Sequence, residues 1–216
     1  MKRVTRGEIR TQIQMLMGHR TDLTAVINTQ IGIQQRALEK EVKWIIRPWF
    51  LQTDDRTVGV LTVDGETFDR PQDFIAEIEE DAITLVNDEA EEIALCKADE
   101  DDLRSLYGNE DSTFPSAYAS AGRKFRIFPK ADVAYTVKMR YYAHDTVMTD
   151  DSEENLWAEH APSCLIGRVG LFVCGANDAK QRDMFGAIFN EAKSALEQYS
   201  MDLLTDNRRY AMGETS

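Results

Sequence analysis

Tyr135-Thr136-Val137-Lys138-Met139-Arg140-Tyr141-Tyr142 ends the central part of this 216-residue chain, a short way after Arg123-Lys124-Phe125-Arg126-Ile127-Phe128-Pro129. Tyr135, Val137, Met139 and Tyr141 fall on one side of an extended chain; Thr136, Lys138 and Arg140 fall on the other. Such strict alternation marks a half-buried antiparallel strand, because successive strand side chains point to opposite faces. Arg123 to Phe128 reads as the strand before it, and Pro129 breaks it. The same texture extends towards the N-terminus. Ile83 to Val86 and Ile93 to Cys96 read as a strand pair joined by the acidic loop Asn87 to Glu92. Thr57 to Val63 is rich in β-branched residues, and Asp64-Gly65 signals a turn before Glu66-Thr67-Phe68. Trp49-Phe50-Leu51 reads as the opening of a first strand, and Asp99 to Leu106 as a short helix whose acidic start suits the positive end of the helix dipole.

Both ends of the chain carry a helical period instead. Thr5 and Glu8 have the spacing of a capping box, and Ile9, Ile13, Leu16 and Met17 follow at helical intervals up to Gly18. Leu23, Val26, Ile27, Ile31, Leu38, Val42 and Ile45 form the stripe of a longer helix that Pro48 ends. After Pro162 a stripe of Leu165, Val169, Phe172, Val173 and Ala176 returns, interrupted by Gly167 and Gly170, whose cost is offset if another helix approaches closely. Asn177-Asp178 marks a turn, and Phe185, Ile188, Phe189, Ala192, Leu196, Tyr199 and Leu203 line a last helix. Four amphipathic helices need partners. The expected fold is α+β: an antiparallel four-helix bundle of the N- and C-terminal helix pairs, residues 1–48 and 161–206, carrying a β-rich antiparallel insertion, 49–160. Residues 207–216 read as a flexible tail.

Composition bounds the function. The chain has 38 Asp and Glu against 25 Lys and Arg, a net charge of −13, and so lacks the cationic surplus that sequence-specific DNA binding demands. No apolar run approaches the roughly 20 residues of a transmembrane helix. Cys96, Cys164 and Cys174 are odd in number and form no CxxC, which points to reduced thiols. His19, His144 and His160 are scattered without ligand spacing, and no HExxH, GxSxG, P-loop or GxGxxG is present. The carboxylate runs (Glu77 to Asp81, Asp88 to Glu92, Asp99 to Asp102) read as solvated loops and helix starts rather than a hydrolase pair or a Ca²⁺ loop. The reading is a non-enzymatic protein with no cofactor and no metal.

The order of segments carries a resemblance. Pro48 to Leu51, Phe125 to Pro129, the strand Tyr135 to Tyr142, Leu156-Trp157 and Pro162 with its closing helices resemble the head–tail adaptor (connector) proteins of tailed bacteriophages. The resemblance covers nearly the whole chain through short aromatic–proline landmarks. One departure is Phe68-Asp69-Arg70-Pro71 with Asp73-Phe74, standing where the family often has a Tyr-x-Leu-Pro-like step. The resemblance implies a virion protein assembled in the host cytoplasm. It implies a homo-oligomeric ring, usually a dodecamer, docked under the portal protein, extending the DNA channel and offering a platform to tail or neck proteins. Viral DNA would pass without sequence-specific binding. Two expectations follow: Arg208, Arg209, Tyr210 and Met212 contact the portal, and the acidic loop Asp88, Glu89, Glu91 and Glu92 faces the lumen or its rim. Alternatives from other classes are a tail-completion or other phage-assembly protein, and a carboxylate-based cell-wall hydrolase.

Overall fold

The computed structural model describes residues 4–41, 43–78, 82–108, 113–175 and 178–213, with side chains as far as residue 203. The chain divides into two compact units: Met1–Leu51 with His144–Ser216, and Gln52–Ala143.

The first unit is helical. Helix α1 (Arg6–Leu16) begins on the capping box read from the sequence. Glu8 N–H donates to Thr5 Oγ1 at 3.2 Å, and Thr5 N–H donates to Glu8 Oε2 at 3.0 Å. The reversal into α2 (Thr24–Glu39) uses two left-handed residues, Gly18 at φ 74° and His19 at φ 61°. Then come α4 (Leu156–His160), α5 (Pro162–Val173) and α6 (Ala179–Gly213); α3 lies in the other unit. Helix α5 is central: α1, α2, α4 and α6 all pack on it. Its two glycines admit α6. A Cβ at Gly167 would stand 2.6 Å from the Phe189 nitrogen, and one at Gly170 would overlap the buried Phe185 ring.

The second unit is a curled sheet. Its strands are β1 (Arg56–Leu61), β2 (Thr67–Asp69), β3 (Phe74–Glu77), β4 (Ile83–Val86), β5 (Glu92–Lys97), β6 (Ala117–Ala121), β7 (Lys124–Phe128), β8 (Tyr135–Met139) and β9 (Tyr141–Ala143). Seven of them run in the order β1-β8-β4-β5-β6-β7-β2, and β3 pairs with β9. The edges β1 and β2 come back into contact, so the barrel is nearly closed. All pairings in the order are antiparallel except β5 with β6, which are parallel and linked through α3 (Glu100–Tyr107). Tyr135, Val137 and Met139 on β8 point inward and are buried with Leu61, Leu85 and Phe125, as the alternation required. Leu103 of α3 packs over Ala117, Ala119 and Phe128.

The expected fold is therefore corrected. The chain is α+β, with a nearly closed seven-stranded mixed barrel and six α-helices among the described residues, not an antiparallel four-helix bundle with an antiparallel insertion. The physical reason lies at the C-terminal end of the expected second helix. Helix α2 stops at Glu39 because its last carbonyls are taken by side chains: Trp44 Nε1–H donates to Leu38 O and Arg47 to Glu39 O, both at 2.8 Å. The released segment then binds α6, with Glu197 accepting from Ile45 N–H at 2.9 Å and Lys193 donating to Lys43 O at 3.1 Å. Trp49 to Leu51 forms a 3₁₀ turn, not a strand. In the barrel, β1 and β8 are neighbours although some 75 residues apart, a pairing that no local period encodes.

One buried carboxylate ties the helical unit together. Glu39 has no exposed surface. Its Oε1 accepts from Gln35 Nε2 (3.0 Å), Trp157 Nε1 (3.1 Å) and Asp145 N (3.3 Å). Its Oε2 accepts from Arg36 (2.8 Å) and lies 2.6 Å from His144 Nδ1. Burial pushes the neighbouring Asp145 carboxyl above its ordinary value, against the hydrogen bonds it accepts from Thr146 and Trp157 N–H.

Three outcomes are expected. Glu39→Ala leaves five donors without their acceptor and lowers unfolding free energy by about 3–5 kcal/mol in urea titrations. Gly170→Ala costs about 1–3 kcal/mol by overpacking against Phe185. For Asp145, a raised folded pKa means a contribution present below the unfolded carboxylate value and lost as pH rises through the folded one. The stability of Asp145→Asn relative to wild type should therefore increase as urea midpoints are taken from pH 3 to pH 7.

Candidate interaction surfaces

The four acidic residues singled out from the sequence stand together. Asp88, Glu89, Glu91 and Glu92 are exposed at the tip of the β4–β5 hairpin. Asn87 orders that tip: its Oδ1 accepts from Glu89 N–H at 3.0 Å and Glu91 N–H at 2.9 Å, while its Nδ2 donates to Glu91 Oε2 at 2.9 Å. Ala90 takes the left-handed conformation, φ 63°. Glu92 is held by Lys138 at 2.8 Å, a hydrogen bond that raises the lysine's pKa. The result is a preformed acidic knob rather than a loose loop. The backbone of α6 runs to Gly213, but the side chains of Arg208, Arg209, Tyr210 and Met212 lie outside the described residues.

The aromatic–proline landmarks of the helical unit, distant in sequence, converge. Trp49 meets His160 at 4.8 Å and Tyr199 at 6.2 Å between ring centroids; Phe50 meets His160 at 5.3 Å and Trp157 at 5.2 Å. Of these rings Trp49, His160 and Tyr199, with Pro162 and Leu196, border a cleft of about 540 Å³. His160 is thus an aromatic packing partner, and His144 a partner of Glu39. Neither was legible as such in the sequence.

A second concavity lies on the β unit and was missed altogether. Its volume is about 660 Å³, between the β2–β3 connection and the β6–β7 turn. Arg70 and Arg123 both line it, and Arg70 N–H donates to Arg123 O at 3.0 Å. The only sequence signal was the proline after Arg70 and the Gly122 turn, at φ 62°.

Among the described residues no cluster of His, Cys, Asp and Glu is arranged to hold a metal ion, and no helix is long and apolar enough to cross a membrane. Cys164 and Cys174 are buried; burial pushes the Cys164 thiol up to about 12, so it stays protonated. Cys96 is exposed.

The SU10 adaptor protein family model matches residues 4–213. The chain belongs to this family. It is a structural adaptor protein of a phage, a component of the virion. No curated protein matches the chain. The match spans both units, so the convergent rings and the acidic knob are features of the adaptor body itself.

Charge in this adaptor is unevenly divided. Residues 52–143 hold 21 Asp and Glu against 10 Lys and Arg, a net −11, while the rest of the chain holds 17 against 15, a net −2. At the acidic knob the Asp88 and Glu89 carboxylates contribute charge without a bond to another described residue. Asp88→Asn with Glu89→Gln should leave thermal unfolding within about 0.5 kcal/mol of wild type. Asn87→Ala, which removes the side chain ordering the tip, should cost about 1 kcal/mol.

Proposed function

We infer that this adaptor forms a homo-oligomeric ring, a dodecamer, beneath the portal, extends the DNA channel and presents a platform to tail or neck proteins. The observation that carries the reading is the concentration of negative charge in the β unit of a phage adaptor. A channel that conducts a genome must not hold it. Twelve copies at −13 each give a ring of roughly −150, whose field repels phosphate. The acidic knob of Asp88, Glu89, Glu91 and Glu92 is the element we assign to the lumen or its rim, because it is exposed, its tip is ordered by Asn87, and the Asp88 and Glu89 carboxylates hold no bond among the described residues. Arg208, Arg209, Tyr210 and Met212, on the last turns of α6, we assign to the portal, two cations and a ring suiting a partner's surface. The DNA passes without sequence-specific contact.

Mass measurement on purified heads tests the ring: adaptor bound to portal-bearing heads should reach twelve copies per portal, and a single bound copy would overturn the proposal. Deleting 207–216 should abolish attachment while leaving the unfolding midpoint of the free protein unchanged; normal attachment would refute the docking assignment.

A further inference from the structure

The β unit carries twice as many acidic as basic residues, and seven of its ten Lys and Arg side chains lie in ion pairs with its own carboxylates. Arg70 and Arg123 do not, among the described residues, and they stand at the same groove. Asp69 borders that groove too but is turned to Lys124, at 3.6 Å. The Arg70 guanidinium lies over two rings, 5.3 Å from Phe74 and 4.9 Å from Phe125, and its buried Nε has no hydrogen-bond partner. Pro71, Phe74 and Ile75 supply the apolar part of the lining, beside Gln72 and Gly122. A guanidinium packed on aromatic faces keeps its in-plane donors free for a carboxylate. This groove is therefore cationic at its mouth and apolar along its wall.

A surface of complementary chemistry exists on the same unit. The outer face of α3 exposes Asp101, Asp102 and Leu106. Leu106 is 67% exposed, which nothing within the unit explains, and it stands one helical turn after Asp102 on the same face. Glu100 is occupied by Arg104 and Arg126, whereas Asp101 and Asp102 have no cationic partner among the described residues. The cap on Asp99, which accepts from Asp101 N–H at 2.9 Å, fixes the helix start and with it the direction of these side chains.

We propose that the Arg70–Arg123 groove of one copy receives the outer face of α3 from a second copy, Asp101 and Asp102 meeting the guanidiniums and Leu106 entering the apolar wall. The contact rests on the ring reading and names its intersubunit bond. Two units of net −11 repel one another, so their association requires unpaired cations directed at the neighbour, and this groove supplies two. Phosphate is the poorer occupant, because the same surplus charge repels a nucleic acid and DNA has no counterpart to Leu106. Groove and helix face are different patches of one subunit, so the contact is heterologous, head to tail, and closes into a ring if its rotation allows.

The test measures self-association of the full chain, free by analytical ultracentrifugation and on portal-bearing heads by copies bound per portal. Arg123→Glu is the primary variant, since Arg123 is exposed on a turn; Arg70→Glu is the second. Each should weaken association at least ten-fold, as should Asp101→Arg with Asp102→Arg; the unfolding midpoint stays unchanged for Arg123→Glu and falls for Arg70→Glu, which loses two ring contacts, and for the α3 variant, which puts cations at a helix start. Mixing the Arg123→Glu protein with the Asp101→Arg/Asp102→Arg protein should restore association, because each reversed surface then meets its complement. Unchanged association of Arg123→Glu, or a mixture that does not recover, overturns this contact and leaves the ring standing. A wild type that stays single both free and on heads overturns both.

Discussion

A carboxylate with no exposed surface decides how the helical unit closes. Moving a charge out of water costs several kcal/mol, repaid only when every lone pair finds a donor. Glu39 finds five, two from its own helix and three from the segment His144 to Trp157. That arrangement sets the point at which the chain, on leaving Ala143, rejoins the end of α2. It fixes Trp157, the short α4 that carries it, and hence the start of α5. The same turn of α2 has its last carbonyls satisfied by Trp44 and Arg47, so the helix ends there and the following segment is free to grip α6. The layout of the helices follows from satisfying one buried charge and the carbonyls beside it.

The β unit solves a different problem. Its net charge of −11 would oppose any compact state through self-repulsion, and an open sheet would add exposed edges. Curling the sheet until β1 and β2 meet encloses an apolar interior of Leu61, Phe125, Tyr135, Val137 and Met139, and turns the charges outward. Most basic side chains are spent in local ion pairs on that surface, which are individually weak. What remains is a surface acidic in bulk and cationic at one groove.

Local signals in the sequence were faithful to local structure. The Thr5–Glu8 capping box, the alternation through β8, the β4–β5 pair and the helix-admitting glycines of α5 are each settled by neighbours within a few residues or by one face of an element. Tertiary satisfaction escaped it. The stripe Leu38, Val42, Ile45 has a helical period, yet Trp44 and Arg47 take the carbonyls of Leu38 and Glu39, and Ile45 lies beyond the end of the helix. Trp49-Phe50-Leu51 has strand composition but packs as a 3₁₀ turn against Trp157 and His160. The parallel β5–β6 pairing and the β1–β8 neighbourhood depend on closure of the whole barrel. The acidic knob was legible because it is one contiguous run. The arginine groove was not, because its halves, 69–75 and 122–123, are each unexceptional alone.

These properties bear on one another in an adaptor. A wall that lets DNA slide needs carboxylates, and subunits built with such walls need a cohesion that does not depend on net charge. A uniform acidic surface would meet the first requirement and defeat the second. In the contact we propose, Arg70, held over two aromatic rings, and Arg123 on the neighbouring turn meet both, because these cations are few and are left without an ion pair to the unit's own acids among the described residues. Phosphate at ordinary distance meets the far larger negative field instead. A low net charge would have made assembly easier and passage harder, so the partition of charge within one unit matters more than its sum.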